Sequence, residues 1–337
     1  MKLDTGLYDA TELGLVPAAA RAAEDAGYNG AWSNETKHDP FFPLVLATEH
    51  TSTIDLGTSI AIAFSRSPMV LANIGWDLQT YSKGRFILGL GSQVKPHIIR
   101  RFSMPWSKPA SRMREYILAL RAIWTCWNDG TELDFDGEFY KLNLMTPYFD
   151  PGPQPYGPPK VFLAAVGSGM MQVAGEVADG AVLHAFTTER YIAEVVRPAL
   201  EAGFKTSGRD GAAFELKLPL FVVTGRDEQE MKVAADAIRG QVAFYASTPA
   251  YRGVLELHGW GALQDELHAL TRAGEWDRMG SLIDDEVLDT FAVVAEPDEV
   301  GRVVRERYGD LVDRVSFNLG YEAGPDVRPR MLASFRA

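Results

Sequence analysis

A dense polar group follows the second predicted strand and contains two side chains that could move a proton. It reads Glu35-Thr-Lys-His38-Asp39, and a carboxyl or imidazole group at this position could act as a general acid or base. Aromatic neighbours such as Trp32 and Phe41 would shield a carboxyl group from water and raise its pKa. The alternative is structural, because Glu35 could cap a loop and His38-Asp39 could precede the next helix. Glu35 and His38 are therefore the predicted catalytic residues.

Two glycine-rich turns elsewhere in the chain could bind an anion or a flat ring. Gly91-Ser-Gln-Val-Lys-Pro-His97 follows the apolar run Arg85–Leu90, and Gly167-Ser-Gly169 precedes a predicted helix. Small residues let backbone N–H groups approach a phosphate or a ring carbonyl, and a helix N-terminus favours negative charge. Each turn alone is also compatible with an ordinary strand-to-helix connection. Two of them in neighbouring units favour a ligand site.

Short apolar strands alternate with amphipathic helices along most of the chain, which predicts a parallel α/β fold. We predict eight strands, the number that closes a (β/α)8 TIM barrel. These strands are Leu3–Leu7, Gly30–Glu35, Leu56–Phe64, Arg85–Leu90, Val161–Val166, Gly180–Ala185, Leu216–Thr224 and Val312–Leu319.

Two stretches interrupt this alternation, and both are interpreted as excursions from a single barrel domain spanning residues 1–337. A proline-rich insertion after the fourth unit, residues 133–159, contains a predicted hairpin at Asp136-Gly137. A helix-rich excursion covers residues 227–310. Substrate identity would be set by these variable parts.

The helix after the fourth strand carries one apolar face at the spacing of helical turns. This face could pack against its own barrel or serve as an interface in a homodimer or higher homo-oligomer. Its residues are Met113, Tyr116, Ile117, Leu120, Ile123, Trp124 and Trp127.

In a barrel, the C-terminal ends of all strands lie at one end, called the mouth, and the active site is found there. Small residues dominate these ends, which suits a flat ligand held by backbone contacts. They suit a metal poorly, because His, Asp and Glu do not cluster at ligand-like spacing. His184 is one of these residues, although a histidine in an apolar strand is more often a hydrogen-bonded core residue. The strand-end residues are Asn34, Glu35, Ser59 to Ala63, Gly91 to Val94, Ala165 to Gly169, His184, Ala185, Thr224 and Asn318.

Composition and missing motifs exclude several classes of protein. A net charge of −12, from 45 acids and 33 bases, argues against nucleic-acid or anionic-membrane binding. The single cysteine, Cys126, allows no intrachain disulfide, and with no secretory signal or long apolar segment we expect a cytoplasmic protein. The chain lacks the phosphate-binding loop of nucleotide hydrolases, the glycine fingerprint of dinucleotide-binding folds and the nucleophile elbow of α/β-hydrolases.

Four motifs in order along nearly the whole chain resemble the bacterial-luciferase-like superfamily, and more closely its branch that uses the deazaflavin coenzyme F420. They are Leu56-Gly-Thr-Ser-Ile60, Ser67-Pro-Met-Val-Leu-Ala72, Gly84-Arg-Phe-Ile-Leu-Gly-Leu-Gly91 and Ala174-Gly-Glu-Val-Ala-Asp-Gly180. The ordered set is specific for the superfamily and less specific for the cofactor, so FMN is the alternative.

The resemblance implies a cofactor ring at the barrel mouth and a non-prolyl cis peptide in the third strand, which here would be Ser59–Ile60. By position, Asn34 would contact the ring, the two glycine-rich turns would hold the ring edge or the phosphate tail, and Glu35 would take the catalytic slot. The predicted cofactor-binding residues are Asn34, Ser59, Ile60, Ala61, Gly91, Ser92, Gln93, Val94, Ala165, Val166, Gly167, Ser168, Gly169 and His184.

Several family members place histidine where this chain has Glu35, so the substrates of those relatives should not be assumed. The resemblance implies an F420-dependent oxidoreductase that transfers a hydride to or from a small alcohol, carbonyl compound or activated alkene. Two alternatives stay open at this point: an FMN-dependent monooxygenase, and a barrel that binds a flavin without catalysis.

Overall fold

A computed structural model of the protein describes residues 1–7 and 12–337. The strands are β1 (Lys2–Gly6), β2 (Gly30–Ser33), β3 (Asp55–Thr58), β4 (Ala61–Ile62), β5 (Phe86–Gly91), β6 (Phe135–Asp136), β7 (Lys141–Leu142), β8 (Lys160–Ala164), β9 (Gly180–Val182), β10 (Glu215–Val223), β11 (Ala292–Val294) and β12 (Arg314–Asn318). The helices are α1 (Val16–Asp25), α2 (Phe41–His50), α3 (Pro68–Tyr81), α4 (Pro109–Asp129), α5 (Ser168–Val177), α6 (Glu189–Tyr191), α7 (Arg197–Ser207), α8 (Glu228–Ala246), α9 (Arg252–Leu257), α10 (Gly261–Ala273), α11 (Trp276–Met279), α12 (Asp285–Phe291), α13 (Val300–Tyr308) and α14 (Val327–Arg336).

Eight parallel strands close into a barrel. Their order around it is β1, β2, β3, β5, β8, β9, β10 and β12. The barrel closes where β12 pairs with β1, with Lys2 aligned to Arg314 and Leu3 to Val315. Because every pairing is parallel, all eight C-terminal ends lie at the same end of the barrel, called the mouth below. The predicted (β/α)8 fold is confirmed.

The third predicted strand differs from the prediction, because it is not continuous. It divides into β3 and the short β4, which pairs separately with the end of β5. Between the two lies the Ser59–Ile60 peptide bond, which is cis as the resemblance implied. The chain therefore bulges at Ser59 and Ile60, directly at the mouth.

Both excursions contain short strands. The hairpin predicted near Asp136-Gly137 is present as the antiparallel pair β6 and β7. Within the region predicted to be helix-rich, β11 adds to the last residues of β10, with Ala292 aligned to Phe221. A second apolar cluster joins α8 to the mouth of the barrel through Phe186 and Phe221.

The apolar face of α4 packs against its own barrel. All seven residues of the predicted stripe are buried within the chain, and the Trp124 indole donates to the carbonyl oxygen of Ala72 in α3. This face is therefore not available as an interface, and a homo-oligomer stays a prediction without a surface assigned to it. No helix in residues 1–7 and 12–337 combines the length and the apolar character needed to cross a membrane.

Charged residues close the opposite, N-terminal end of the barrel. The fully buried Arg314 guanidinium donates to both carboxylate oxygens of Asp4, at 2.9 and 2.8 Å, to Asp55 at 2.8 Å and to Glu215 at 3.0 Å. Burial opposes ionisation of Glu215, but hydrogen bonds from Lys160 and Arg314 outweigh it and lower the pKa of Glu215 to about 2. Every charge in this group is paired, which is the condition under which ions are tolerated inside a protein.

Candidate functional site

Two adjoining cavities open at the mouth of the barrel. The larger cavity, of about 600 Å³, lies against the ends of β1, β2, β9, β10 and β12. The smaller cavity, of about 320 Å³, lies against the ends of β5, β8 and β9. Both cavities are lined by Ile60, Ala164, Val182, Leu183 and His184. Together they form one cleft across the C-terminal ends of the strands, which is where barrel enzymes bind their ligands.

The bulge after β3 forms the boundary between the two cavities. Ile60 lines both of them, whereas Ser59 and Asn34 line only the larger one. Gly91 lies against Ile60, since a Cβ atom there would come within 2.7 Å of the Ile60 Cδ1 atom. A larger residue at position 91 would therefore displace the Ile60 side chain.

The first predicted glycine-rich turn and the residues just before the second line the smaller cavity. Gly91, Ser92, Gln93 and Val94 line one side of it, and Ala165 and Val166 line the other. Gly167 and Ser168 lie just beyond, where α5 begins. Gly167 has a φ of +79° and open space around its missing side chain, a conformation that favours glycine. The first turn therefore lines the smaller cavity and the second lies next to it, and ligand binding by either turn stays a prediction.

The carboxylate of Glu35 points away from the cleft and holds the bulge in place. It accepts hydrogen bonds from the Ile62 backbone N–H and from the Arg66 guanidinium, both at 2.7 Å. The Glu35 side chain is only 6% exposed, and its own N–H donates to the Ile60 carbonyl oxygen at 3.3 Å. Arg66 also pairs with Asp39 at 3.0 Å. These contacts suit a positioning residue better than a proton carrier, although the predicted catalytic role of Glu35 stays untested.

Besides Glu35, five predicted residues line neither cavity, and two of them are Gly167 and Ser168. His38 is exposed on the loop before α2. Ala61 is fully buried in β4 behind the bulge, and Gly169 lies within the first turn of α5. For His38, the structure supplies no contact in the described residues that would connect it to the cleft.

His184 lies at the junction of the two cavities and is held in one orientation. Its Nδ1 atom accepts a hydrogen bond from the Phe186 backbone N–H at 3.0 Å, and its ring packs against Tyr245 and Tyr251 with centroids 4.5 and 4.8 Å away. Burial lowers the pKa of His184 to about 4. The imidazole is thus neutral at pH 7, and because Nδ1 is an acceptor, Nε2 carries the proton.

Lys217 lies in the wall of the larger cavity and was not predicted as a site residue. It is 1% exposed, and its ammonium group lies 3.4 Å from the Ser316 hydroxyl and 4.9 Å from the centre of the Trp32 ring. Burial lowers the pKa of Lys217 to about 8. A lysine inside the apolar run of the seventh predicted strand was the only sequence signal for it.

Three other residues of the cleft lie in parts of the chain where the sequence predicted no site residue. Tyr245 and Tyr251 belong to the helix-rich excursion, and Arg328 lies on the last helix. All three line the cleft. In the described part of the chain, no three His, Cys, Asp or Glu side chains are grouped as a metal site would require.

The sequence matches known proteins over nearly its full length. A family model described as luciferase-like monooxygenase matches residues 2–314. An uncharacterized protein of Mycobacterium tuberculosis (strain ATCC 25618 / H37Rv) is 56% identical over 315 residues, covering 94% of this chain and 92% of that protein. The 5,10-methylenetetrahydromethanopterin reductase of Archaeoglobus fulgidus is 28% identical, covering 91% of this chain and 90% of the reductase.

Three solved structures share the fold. The coenzyme F420 dependent tetrahydromethanopterin reductase of Methanopyrus kandleri has a TM-score of 0.77 and 21% identity, covering 99% of this chain and 97% of that one. An F420-dependent secondary alcohol dehydrogenase in complex with an F420-acetone adduct has a TM-score of 0.73 and 14% identity, with the same coverage. EDTA monooxygenase from Chelativorans sp. BNC1 has a TM-score of 0.74 and 15% identity, covering 99% and 92%. Reductases, a dehydrogenase and a monooxygenase thus occur on this fold.

Proposed function

Because this chain belongs to the luciferase-like monooxygenase family, we propose that it is an oxidoreductase that uses the deazaflavin coenzyme F420. In this proposal it transfers a hydride between F420 and a small organic substrate, either an alcohol/carbonyl pair or an activated alkene. The names of the Archaeoglobus reductase and of two of the structural neighbours support a reductase or dehydrogenase reaction. The observation that carries the proposal is the pair of cavities that meet at Ile60.

The residues around the cleft fit a flat cofactor with a polar tail. Ile60 offers an apolar surface between the cavities, and the backbone at Gly91–Val94 and Ala165–Val166 offers N–H groups around the smaller one. We infer that the ring of F420 lies against Ile60 and that its tail follows the two turns. FMN would use the same elements, since it also has a tricyclic ring and a phosphate-bearing chain. When bound, F420 supplies or accepts the hydride.

The larger cavity would then hold the substrate. Asn34 and His184 are polar groups on its wall. The proton on Nε2 of His184 can form a hydrogen bond to a substrate oxygen, and such a preorganised donor stabilises charge that develops there during reduction. A neutral imidazole with this tautomer polarises the oxygen and does not give up the proton. Glu35 and His38 remain the predicted proton carriers.

A fluorescence titration of cofactor-free protein with oxidised F420, and separately with FMN, tests the cofactor. We expect F420 to bind with a dissociation constant in the micromolar range or tighter, and FMN to bind at least about tenfold more weakly. The reverse preference would contradict the proposal and favour an FMN-dependent monooxygenase, to be followed by an oxygen-uptake assay. Binding of neither would show that the cleft takes a different ligand.

A further inference from the structure

The larger cavity has a positive lining in a protein whose overall charge is negative. The chain has 45 acidic and 33 basic residues, yet the charged residues that line this cavity are Lys217 and Arg328. No carboxylate of residues 1–7 or 12–337 lines it. The smaller cavity has no charged lining residue in the same part of the chain. The two halves of the cleft therefore differ in the ligand groups that they favour.

Lys217 is a buried cation without a strong partner. Its one hydrogen bond within the described residues is to the Ser316 hydroxyl, and at 3.4 Å that bond is long. Ser316 lines the same cavity. A buried ammonium group can form three hydrogen bonds, and leaving it underused is costly. A ligand oxygen in the cavity would complete its coordination.

The charges that face Lys217 do not neutralise it. Asp4 on β1 attracts it, but both carboxylate oxygens of Asp4 are already bonded to Arg314. Arg314 on β12 repels it, and Glu215, two residues earlier on β10, is paired with Arg314, Lys2 and Lys160. His184, two residues after β9, is neutral at pH 7.

We propose that Lys217 and Ser316 bind a carboxylate group of the substrate, so that the substrate is an organic anion. This proposal deepens the proposed function and rests on it. A carboxylate accepts hydrogen bonds from an ammonium and a hydroxyl group at once, and charge-assisted bonds of this kind are the stronger ones. Arg328, exposed near the rim, attracts the same anion from solution.

The position of Lys217 assigns this group to the substrate and not to the cofactor tail. Lys217 and Ser316 lie on β10 and β12 and line the larger cavity, whereas Gly91–Val94 after β5 and Ala165–Val166 after β8 line the smaller one. The larger cavity, at about 600 Å³, accommodates a small carboxylic acid beside the ring.

Calorimetric titration with benzoate and benzamide tests this inference, because the two probes share a ring and differ in charge. Both cofactor-free and F420-loaded protein are titrated. We expect wild-type protein to prefer benzoate by about tenfold or more at pH 7. This preference should fall as the pH rises through 8 and the ammonium group loses its proton. His184 does not titrate in that range.

Two variants and a control test whether Lys217 and Ser316 cause the preference for benzoate. Lys217→Met should abolish the preference for benzoate, and Met is close to Lys in volume, so the core stays filled. Ser316→Asp keeps the lysine but supplies an internal carboxylate, and it should abolish the preference too. Lys160→Met removes a half-exposed lysine that pairs with Glu215 outside the cavity and should leave the preference unchanged.

The inference is overturned if wild-type protein shows no preference for benzoate, or if Lys217→Met retains the preference. It is also overturned if Lys217→Met weakens F420 binding about tenfold while benzoate binding is unaffected, since the lysine would then serve the cofactor. A benzoate preference in protein that binds neither F420 nor FMN would uphold the anion site while the proposed function fails.

Discussion

Arg314 and Lys217 are neighbouring buried cations inside the same barrel, yet they differ in their hydrogen-bond partners and in the direction of their pKa shifts. Both lie over the ring of Trp32, at 5.4 and 4.9 Å from its centre. Arg314 bonds to three carboxylates, whereas the one hydrogen bond of Lys217 within residues 1–7 and 12–337 is a long bond to a hydroxyl group. Burial is the largest influence on the pKa of each and lowers it. For Arg314, the hydrogen bonds that it donates to Asp4 and Asp55 outweigh burial and raise the pKa above its usual value, whereas the pKa of Lys217 falls to about 8.

The two residues are aligned on neighbouring strands, so the difference separates a charge that stabilises the barrel from a charge that faces the cleft. Around Arg314, the charges satisfy one another and leave nothing for a ligand. Lys217 lies in the wall of the larger cavity and has no carboxylate partner within residues 1–7 and 12–337. Buried groups that are left unsatisfied lower stability and tend to mark functional sites, and that contrast gives the following predictions.

Arg314→Met should produce the largest effect. Removing this guanidinium leaves Asp4 buried and without its bidentate partner, and breaking a buried ion pair on one side costs about 3–5 kcal/mol. Urea denaturation should show that loss in the free energy of unfolding. A loss below about 1 kcal/mol would mean that the paired end of the barrel does not stabilise the fold as described.

Lys217→Met should change stability in the opposite direction and raise the free energy of unfolding. The pKa of Lys217 in the folded protein, about 8, is below the value near 10.4 of an unfolded chain, so the unfolded state binds more protons between these pH values. Below pH 8 the buried charge therefore destabilises the fold, and its removal should raise the free energy of unfolding by up to roughly 3 kcal/mol. The gain should shrink between pH 8 and 10.5. Denaturation curves at pH 7 and pH 10 check both the sign and the trend, and a lower stability at pH 7 would refute the prediction.

Glu35→Gln should weaken the bulge between the cavities. The amide keeps the shape of the carboxylate but loses its charge towards Arg66 and the Ile62 N–H, which should cost about 1–3 kcal/mol in unfolding free energy. Cofactor affinity should fall with it, because Ile60 is displaced. Asp39→Asn is the matched control, since it removes the more exposed partner of Arg66 and should cost less than about 1 kcal/mol.

The Glu35 variant also separates the two roles considered for this residue. A proton carrier would lose turnover in Glu35→Gln while stability and cofactor binding stay at wild-type values. A positioning residue would lose stability and cofactor affinity as well.

Gly91→Ala should give the smallest effect. Its new methyl group would press on the Ile60 Cδ1 atom, and mild overpacking of this kind costs about 1 kcal/mol, which is up to tenfold in cofactor affinity. Gly169→Ala is the matched control, because a methyl group there meets no atom within 4 Å. Fluorescence titration with F420 compares the two, and equal affinities would argue against Ile60 as the surface beneath the ring.

The sequence predicted the parts of the site that depend on local patterns. All eight barrel strands, and the positions of Asn34 and Gly91–Val94 in the cavity walls, follow from apolar runs and the small residues at their ends. The contacts of Glu35 could not be predicted, because Arg66 and Ile62 reach it only after the bulge brings separate segments together.

Lys217 is a second residue whose environment could not be predicted from the sequence. It lies within a correctly predicted strand, but its burial depends on Trp32 from β2 and Ser316 from β12, which are far away in the sequence. Tyr245 and Tyr251 reach the cleft from an excursion with no periodic relation to the barrel. Local patterns indicate which residues end a strand, and only the closed barrel determines which of them meet.

Turnover without oxygen tests hydride transfer most directly. Reduced F420 is mixed with the protein under anaerobic conditions, and its oxidation is followed in the presence of ketones, aldehydes and activated alkenes, each with and without a carboxylate. We predict that F420 is oxidised without oxygen, with one substrate molecule reduced for each cofactor and a preference for the carboxylate-bearing members. Oxidation that requires oxygen would identify a monooxygenase, and tight binding of F420 without oxidation by any substrate would contradict a catalytic role.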